Sequence, residues 1–187
     1  MARSEQIRFR LAGSGDAEAV ATLHSDSWRR HYRGAYSDAF LDGDVDADRL
    51  AVWTDRLREP DPGRCTILAE DGCALAAFAH TVFEDDQTWG ALLDNLHVVH
   101  DRKRSGIGSR LLALTAEAVA GRPRRTGFYL WVLEQNADAQ AFYRARGGRC
   151  VERAAVPAPG GVPGRLNASP AALRYVWPDL SALVGSR

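Results

Sequence analysis

The chain has 187 residues, with 24 Lys and Arg against 24 Asp and Glu and a hydrophobic share of 45%. That length supports one well-packed α/β domain spanning residues 1–187, and a formal net charge of zero argues against nucleic acid as the main partner. No apolar run reaches membrane-spanning length, residues 1–15 lack the apolar core of a signal peptide, and three cysteines without CxxC spacing fit a reducing, cytoplasmic setting better than a disulfide framework.

In chain order, Ile7 to Leu11 alternates and reads as a first strand. Ser14 or Asp16 caps a helix to about Arg30, with Val20, Leu23, Ser27 and Trp28 on one side. Residues 31–48 read as an irregular connection, and Asp46 or Asp48 caps a second helix on which Leu50, Trp53 and Leu57 repeat. Pro60-Asp61-Pro62-Gly63 stops it. Cys65 to Glu70 and Ala74 to Phe83 form a hairpin over Asp71-Gly72. Trp89 to Val99 is a long strand, and a helix runs from the Gly106 region to Gly121 with Ile107, Leu111, Leu114 and Ala118 as its buried stripe. Strand 128–133, helix 137–146 and strand 149–154 follow. Residues 157–170 are a Pro/Gly-rich loop, and Ala172 to Trp177 is a last strand. No His or Cys cluster has zinc spacing and HExxH is absent, so no metal is expected.

The stretch Asn95 to Arg110, NLHVVHDRKRSGIGSR, carries most of the chemistry. A strand enters a short basic loop that ends in Gly106-Ile107-Gly108, where a helix begins. First-turn N–H groups lack intrahelical partners, and the helix dipole adds partial positive charge. A phosphate placed there satisfies both. The third glycine of a dinucleotide fingerprint is missing, since its position is Leu111, and no Gly-Lys-Ser/Thr follows. Downstream, LWVLEQNADAQAFYRARGG reads as a buried strand, an Asn136 cap, and a helix that stops at Gly147-Gly148.

Lys103-Arg104-Ser105-Gly106-Ile107-Gly108 resembles the Arg/Gln-x-x-Gly-x-Gly/Ala signature of the GNAT superfamily of N-acetyltransferases, and the Asn136 to Gly147 segment resembles its second motif. The resemblance is strong over residues 90–150 and poor after 155. It implies the GNAT fold, a mixed, twisted sheet of about seven strands with helices on both faces. It also implies acetyl-CoA as cofactor and transfer of the acetyl group to a primary amine of a small molecule or peptide, by direct attack in a ternary complex. Homodimers are frequent in such a family, so one is left open here. The pantetheine arm is expected on the backbone of Leu96, His97 and Val98, with an N–H near Val98 polarising the carbonyl. The diphosphate is expected on Lys103, Arg104, Ser105, Gly106, Ile107, Gly108 and Ser109, with Arg102 and Arg110 as further cations. Lys103 departs from the signature, keeping the charge but not the guanidinium fork. Asn136 either contacts the pantetheine arm or is a plain helix cap.

Tyr143 is the candidate general acid, since a phenol is protonated at neutral pH and can give a proton to the departing thiolate. Asp94 is the first candidate base, His97 the second and Glu134 the third. Asp94 and His97 differ by three, so a regular strand points them to opposite faces unless a bulge intervenes. Relatives with a strand carboxylate often carry Glu where this chain has Leu92. Trp28, Tyr32 and Tyr36, beside Asp38, Asp42, Asp44, Asp46 and Asp48, would suit a cationic acceptor with a flat or apolar portion. The alternative function is a non-catalytic acyl-CoA-binding sensor or partner module with the same fold.

Overall fold

The computed structural model describes residues 7–123 and 127–184. Among these, seven strands form one sheet: β1 Arg8–Leu11, β2 Arg64–Asp71, β3 Ala74–Asp86, β4 Gly90–Val98, β5 Phe128–Leu133, β6 Arg149–Ala155 and β7 Ala171–Trp177. Its order is β1-β2-β3-β4-β5-β7-β6. All neighbours are antiparallel except β4 and β5. The helices are α1 Ala17–His31, α2 Asp38–Asp42, α3 Val45–Leu57, α4 Ile107–Ala120 and α5 Ala137–Arg144. The expected order of strands and long helices is observed. The connection after α1, expected to be irregular, contains the five-residue α2, and α3 starts at Val45 with Asp44 at its N-cap instead of Asp46 or Asp48.

The sheet is covered on both faces because its central strands carry continuous apolar runs, whose successive side chains point to opposite faces. On one face Ile67, Leu93, Phe128, Leu130, Val132 and Trp177 pack against Ile107, Leu111, Leu112 and Ala116 of α4 and Tyr143 of α5. Leu111 and Leu112 are fully buried, each contributing roughly 1.5–3 kcal/mol of apolar burial. On the other face Val20, Ala21 and Leu23 of α1 and Trp53 of α3 pack on Leu68 and Phe78. A third cluster joins Trp28, Ala35, Tyr36, Phe40 and Leu41 to Leu133.

The parallel pair β4–β5 sets up the site. It has only two rungs, Ala91 with Phe128 and Leu92 with Tyr129. The strands are pinned at their start, where Ala91 N–H donates to Gly127 O at 3.0 Å. Gly90 (φ +86°) has no room for a Cβ against the Gly127 backbone, so the closest approach needs glycine. Beyond Leu92 the strands part. Val99 N–H donates to Ala76 O of β3. Because N–H directions alternate along a strand, those of Val98 and Leu96 turn away from β3, toward the open side.

Candidate active site

The splay between β4 and β5 opens a cleft of about 890 Å³. Its walls include Leu93 to Val98, Leu130 to Leu133, Ser27, His31 and Tyr32 from the end of α1, and Asn136, Phe142 and Tyr143 from α5. Lys103, Arg104, Gly106, Gly108 and Ser109 line its other end.

That other end is built from main chain. Gly106 is the N-cap of α4, with φ +87°, and Arg104 also has positive φ at 62°. The first bond of the helix is Arg110 N–H to Gly106 O at 3.0 Å. Six consecutive amides, Arg104 to Ser109, have no hydrogen-bond partner among the described residues. Ser105 Oγ donates to Arg102 O at 2.6 Å and closes the turn beneath them. Gly108 leaves a surface beside Val98 and Phe142, each 3.6 Å from where a Cβ would stand.

The basic side chains around this turn do not stand where the sequence suggests. Arg102 is ion-paired with Asp71, and Arg110 reaches along α4 to Glu117 at 3.3 Å; these two expected phosphate cations already have a carboxylate, whereas Arg104 lines the cleft and has none among the described residues. Lys103 Nζ lies 2.7 Å from His31 Nε2. An ammonium can only donate, so the ring accepts. Burial lowers the pKa of both groups, and for His31 the Lys103 charge adds to it.

At the opposite end, Tyr143 is 8% exposed and is packed by Phe142, Tyr175 and Trp177. Its hydroxyl has no hydrogen-bond partner among the described residues, and burial pushes its pKa above the ordinary phenol value. It therefore stays protonated at neutral pH. Asn136 Oδ1 accepts from Ala139 N–H at 3.1 Å, the helix-cap geometry, while the residue also lines the cleft.

Asp94 and His97 both line the cleft. The cause is a bulge: His80 pairs with Asn95 and Thr81 with Leu93, so Asp94 is the extra residue on β4. Leu92 sits in the last paired rung with β5. Arg56 of α3 donates to Asp94 Oδ2 at 2.7 Å and to Asn95 Oδ1 at 3.2 Å. His97 is buried, with Nδ1 2.7 Å from Ser27 Oγ and its ring 4.7 Å from that of His24. Desolvation pushes its pKa down to about 3. Such a ring is neutral at physiological pH and too weak a base to hold an amine proton. Glu134, the third expected base, does not line the cleft; it is exposed and ion-paired with Arg153 at 2.8 Å.

Of the three aromatics expected at the acceptor, Tyr32 lines the cleft and Trp28 and Tyr36 do not. Both are 7% exposed inside the third core cluster, behind Tyr32. Burial, with the charge of Asp94 as a smaller cause, pushes the Tyr32 phenol up to about 12. Four of the five nearby aspartates are matched by arginines: Asp38 and Asp42 by Arg33, Asp46 by Arg29, and Asp48 by Arg49 and Arg165; Asp44 stands at the N-cap of α3. Loop 157–170 does not line the cleft. It is tied to the α1–α2 connection by Ser37 N–H to Arg165 O at 2.9 Å and Asn167 N–H to Ala35 O at 2.8 Å. Arg56, Ser27 and Trp131 belong to the site or brace it, and none stands out as a site residue in the sequence. Trp131 has a signal there, an aromatic on the strand facing β4; the other two follow only from packing.

A splayed parallel strand pair, a bulge on the first strand and an amide-lined turn after it meet in one cleft, and the sequence profile of the acetyltransferase (GNAT) family matches residues 25–147, well over half of the chain. The chain belongs to the GNAT acetyltransferase family. Solved structures with the same fold include PaiA N-acetyltransferase from Thermoplasma acidophilum in complex with coenzyme A. It is 18% identical with TM-score 0.70, over 92% of this chain and 99% of that one. Arabidopsis thaliana NAA60 in complex with a bisubstrate analogue is 19% identical with TM-score 0.68, over 92% and 97%. The ribosomal-protein-S18-alanine N-acetyltransferase from Escherichia coli is 18% identical with TM-score 0.65, over 92% and 94%. No curated protein sequence matches the chain. Among the described residues no His, Cys, Asp and Glu group is arranged to hold a metal ion, and no helix is long and apolar enough to cross a membrane. This GNAT enzyme thus has the family's cleft, with a Lys in the first signature position and an Asp on the bulge.

Proposed function

We propose that this protein transfers an acetyl group from acetyl-CoA to a primary amine of a small molecule or peptide, by direct attack within a ternary complex. The observation that carries the reading is the juxtaposition of a row of six unpartnered amides, Arg104 to Ser109, of which Arg104, Gly106, Gly108 and Ser109 line the cleft, with a strand edge at Leu96 and Val98 and a lone hydroxyl on Tyr143 in the same cleft. Acetyl-CoA supplies the thioester and, once cleaved, the thiol leaving group. The neighbours solved with coenzyme A and with a bisubstrate analogue support the same occupant.

The chain's own groups then divide the work. The Arg104 to Ser109 amides and the α4 dipole hold the diphosphate. The edge of Leu96 and Val98 pairs with the amide-bearing arm as a neighbouring strand would, and Val98 N–H donates to the thioester oxygen as negative charge builds there. Tyr143 gives its proton to the departing sulfur. Asp94, directed into the cleft by the bulge and held by Arg56, draws in the ammonium and receives its proton through water. His97 stays neutral and orients rather than abstracts. Tyr32 walls the acceptor side.

The direct test is release of free thiol from acetyl-CoA with a panel of small amines and short peptides. Turnover with at least one amine, at a rate that depends on both substrates without a covalent acetyl-protein, supports the reading. Binding of acetyl-CoA with no turnover across the panel overturns the enzymatic reading in favour of a binding module.

A further inference from the structure

We infer that Arg146, just past α5, supplies side-chain charge to the cofactor's diphosphate in place of Arg102, Lys103 and Arg110, the cations around the family signature that already have partners. The inference rests on the acetyl-CoA reading above. Three of the nearby cations are engaged: Arg102 by Asp71, Arg110 by Glu117 and Lys103 by His31, while Arg104 lines the cleft as an exposed side chain, free to stay in water. Arg146 is different. It is half-buried, lines the cleft beside Gly108 and Ser109, and has no carboxylate partner among the described residues. Burial alone lowers its pKa, which marks a desolvated cation without a counter-charge.

Its geometry leaves a binding edge. Nε donates to Ser109 Oγ at 3.1 Å and Nη2 donates to the same atom. Nη1 donates to Phe142 O at 3.0 Å. The guanidinium carbon lies 3.8 Å from the centre of the Phe142 ring. A guanidinium has five N–H groups, so these bonds leave one on each terminal nitrogen, a pair suited to two phosphate oxygens. The backbone is fixed as well, since Trp177 Nε1 donates to Arg146 O at 2.8 Å. Ser109 belongs to the first turn of α4, so the fork stands directly beside the unpartnered amides. A phosphate there meets backbone dipoles on one side and the fork on the other.

Calorimetric titration of CoA, 3′-dephospho-CoA and pantetheine into wild type, Arg146→Gln, Arg146→Lys and Lys103→Gln tests this. Arg146→Gln is expected to bind CoA and 3′-dephospho-CoA about 10- to 100-fold more weakly, with pantetheine unaffected and a shallower salt dependence. Arg146→Lys, which keeps charge without the fork, should fall between, and Lys103→Gln should lose less than Arg146→Gln. Should the glutamine variant fail to fold, weaker CoA binding with unchanged pantetheine binding in the lysine variant supports the inference equally. Wild-type affinity for CoA in both Arg146 variants overturns it. So does a loss confined to CoA, which would move the contact to the 3′-phosphate, or an equal loss for pantetheine, which would make Arg146 structural. No CoA binding by the wild type overturns instead the acetyltransferase reading.

Discussion

Tyr143, the proposed general acid, occupies an ordinary core position. Three aromatic neighbours bury its ring and keep its hydroxyl protonated. Removing that oxygen leaves the packing intact, so Tyr143→Phe is expected to lower kcat by about 100-fold or more while the dissociation constant for acetyl-CoA changes little. Steady-state kinetics with a direct binding measurement checks both; a fully active variant would assign the proton to water. Asp94→Asn is expected to lower kcat and to alter the acid limb of the pH–rate profile, because the amide cannot receive a proton. An unchanged profile would remove Asp94 from the reaction. The histidines behind it act on stability. His97 and His80 are held neutral by burial, at about 3 and about 4 against an ordinary 6.5. Between those values the unfolded chain binds protons that the folded chain refuses. Stability is therefore full above pH 6.5 and falls as pH drops toward 4, by about 1.4 kcal/mol per pH unit for each such group. Thermal unfolding midpoints at pH 7.5, 6.0 and 5.0 should descend in that order; a flat series would mean that the rings are protonated in the native state. None of these environments is readable from the residues alone, because Ser27, His24 and Arg56 meet β4 only after α1 and α3 dock on the sheet.

At the scale of elements, the turn into α4 depends on backbone conformation. A Cβ at Gly106 would meet nothing within 4 Å, yet its φ of +87° disfavours any other residue. Gly106→Val is thus expected to distort the amide row and weaken CoA binding, with about 1–3 kcal/mol of strain at stake. Gly106→Asn, which tolerates positive φ better, should retain more affinity. Equal binding by the wild type and the valine variant, measured by calorimetry, would show that the turn does not hold the ligand. The strands, the long helices and this turn are legible in the sequence because period-2 runs, 3.6-period stripes and Gly/Pro stops are local. α2 is not, since five residues are too few to show a period. The bulge at Asp94 is not either: it exists only in the register of β4 against β3. It turns a strand that would show one of two candidate residues to the cleft into a strand that shows both.

For the whole molecule, one sheet serves two tasks. Packing on both faces holds β4 and β5 together at Gly90 and Gly127, and the missing rungs beyond Leu92 create the cleft. The aromatic and acidic residues of 28–48, which the sequence offers as an acceptor site, are mostly used to bind that segment to loop 157–170 and to its own arginines. Composition near a site therefore overstates what faces it, and only Tyr32 of those three aromatics reaches the cleft. The same limit applies to Arg102, Arg110 and Lys103 around the signature loop, whose partners Asp71, Glu117 and His31 lie in three different elements or turns. The central claim is that the amides of Arg104 to Ser109 grip the diphosphate of coenzyme A. Amide NMR of the isotope-labelled protein titrated with CoA addresses it most directly. The largest shifts are expected at residues 104–109, with smaller ones at Leu96 and Val98. Saturable binding with the main shifts elsewhere, or no shifts at millimolar CoA, would contradict it.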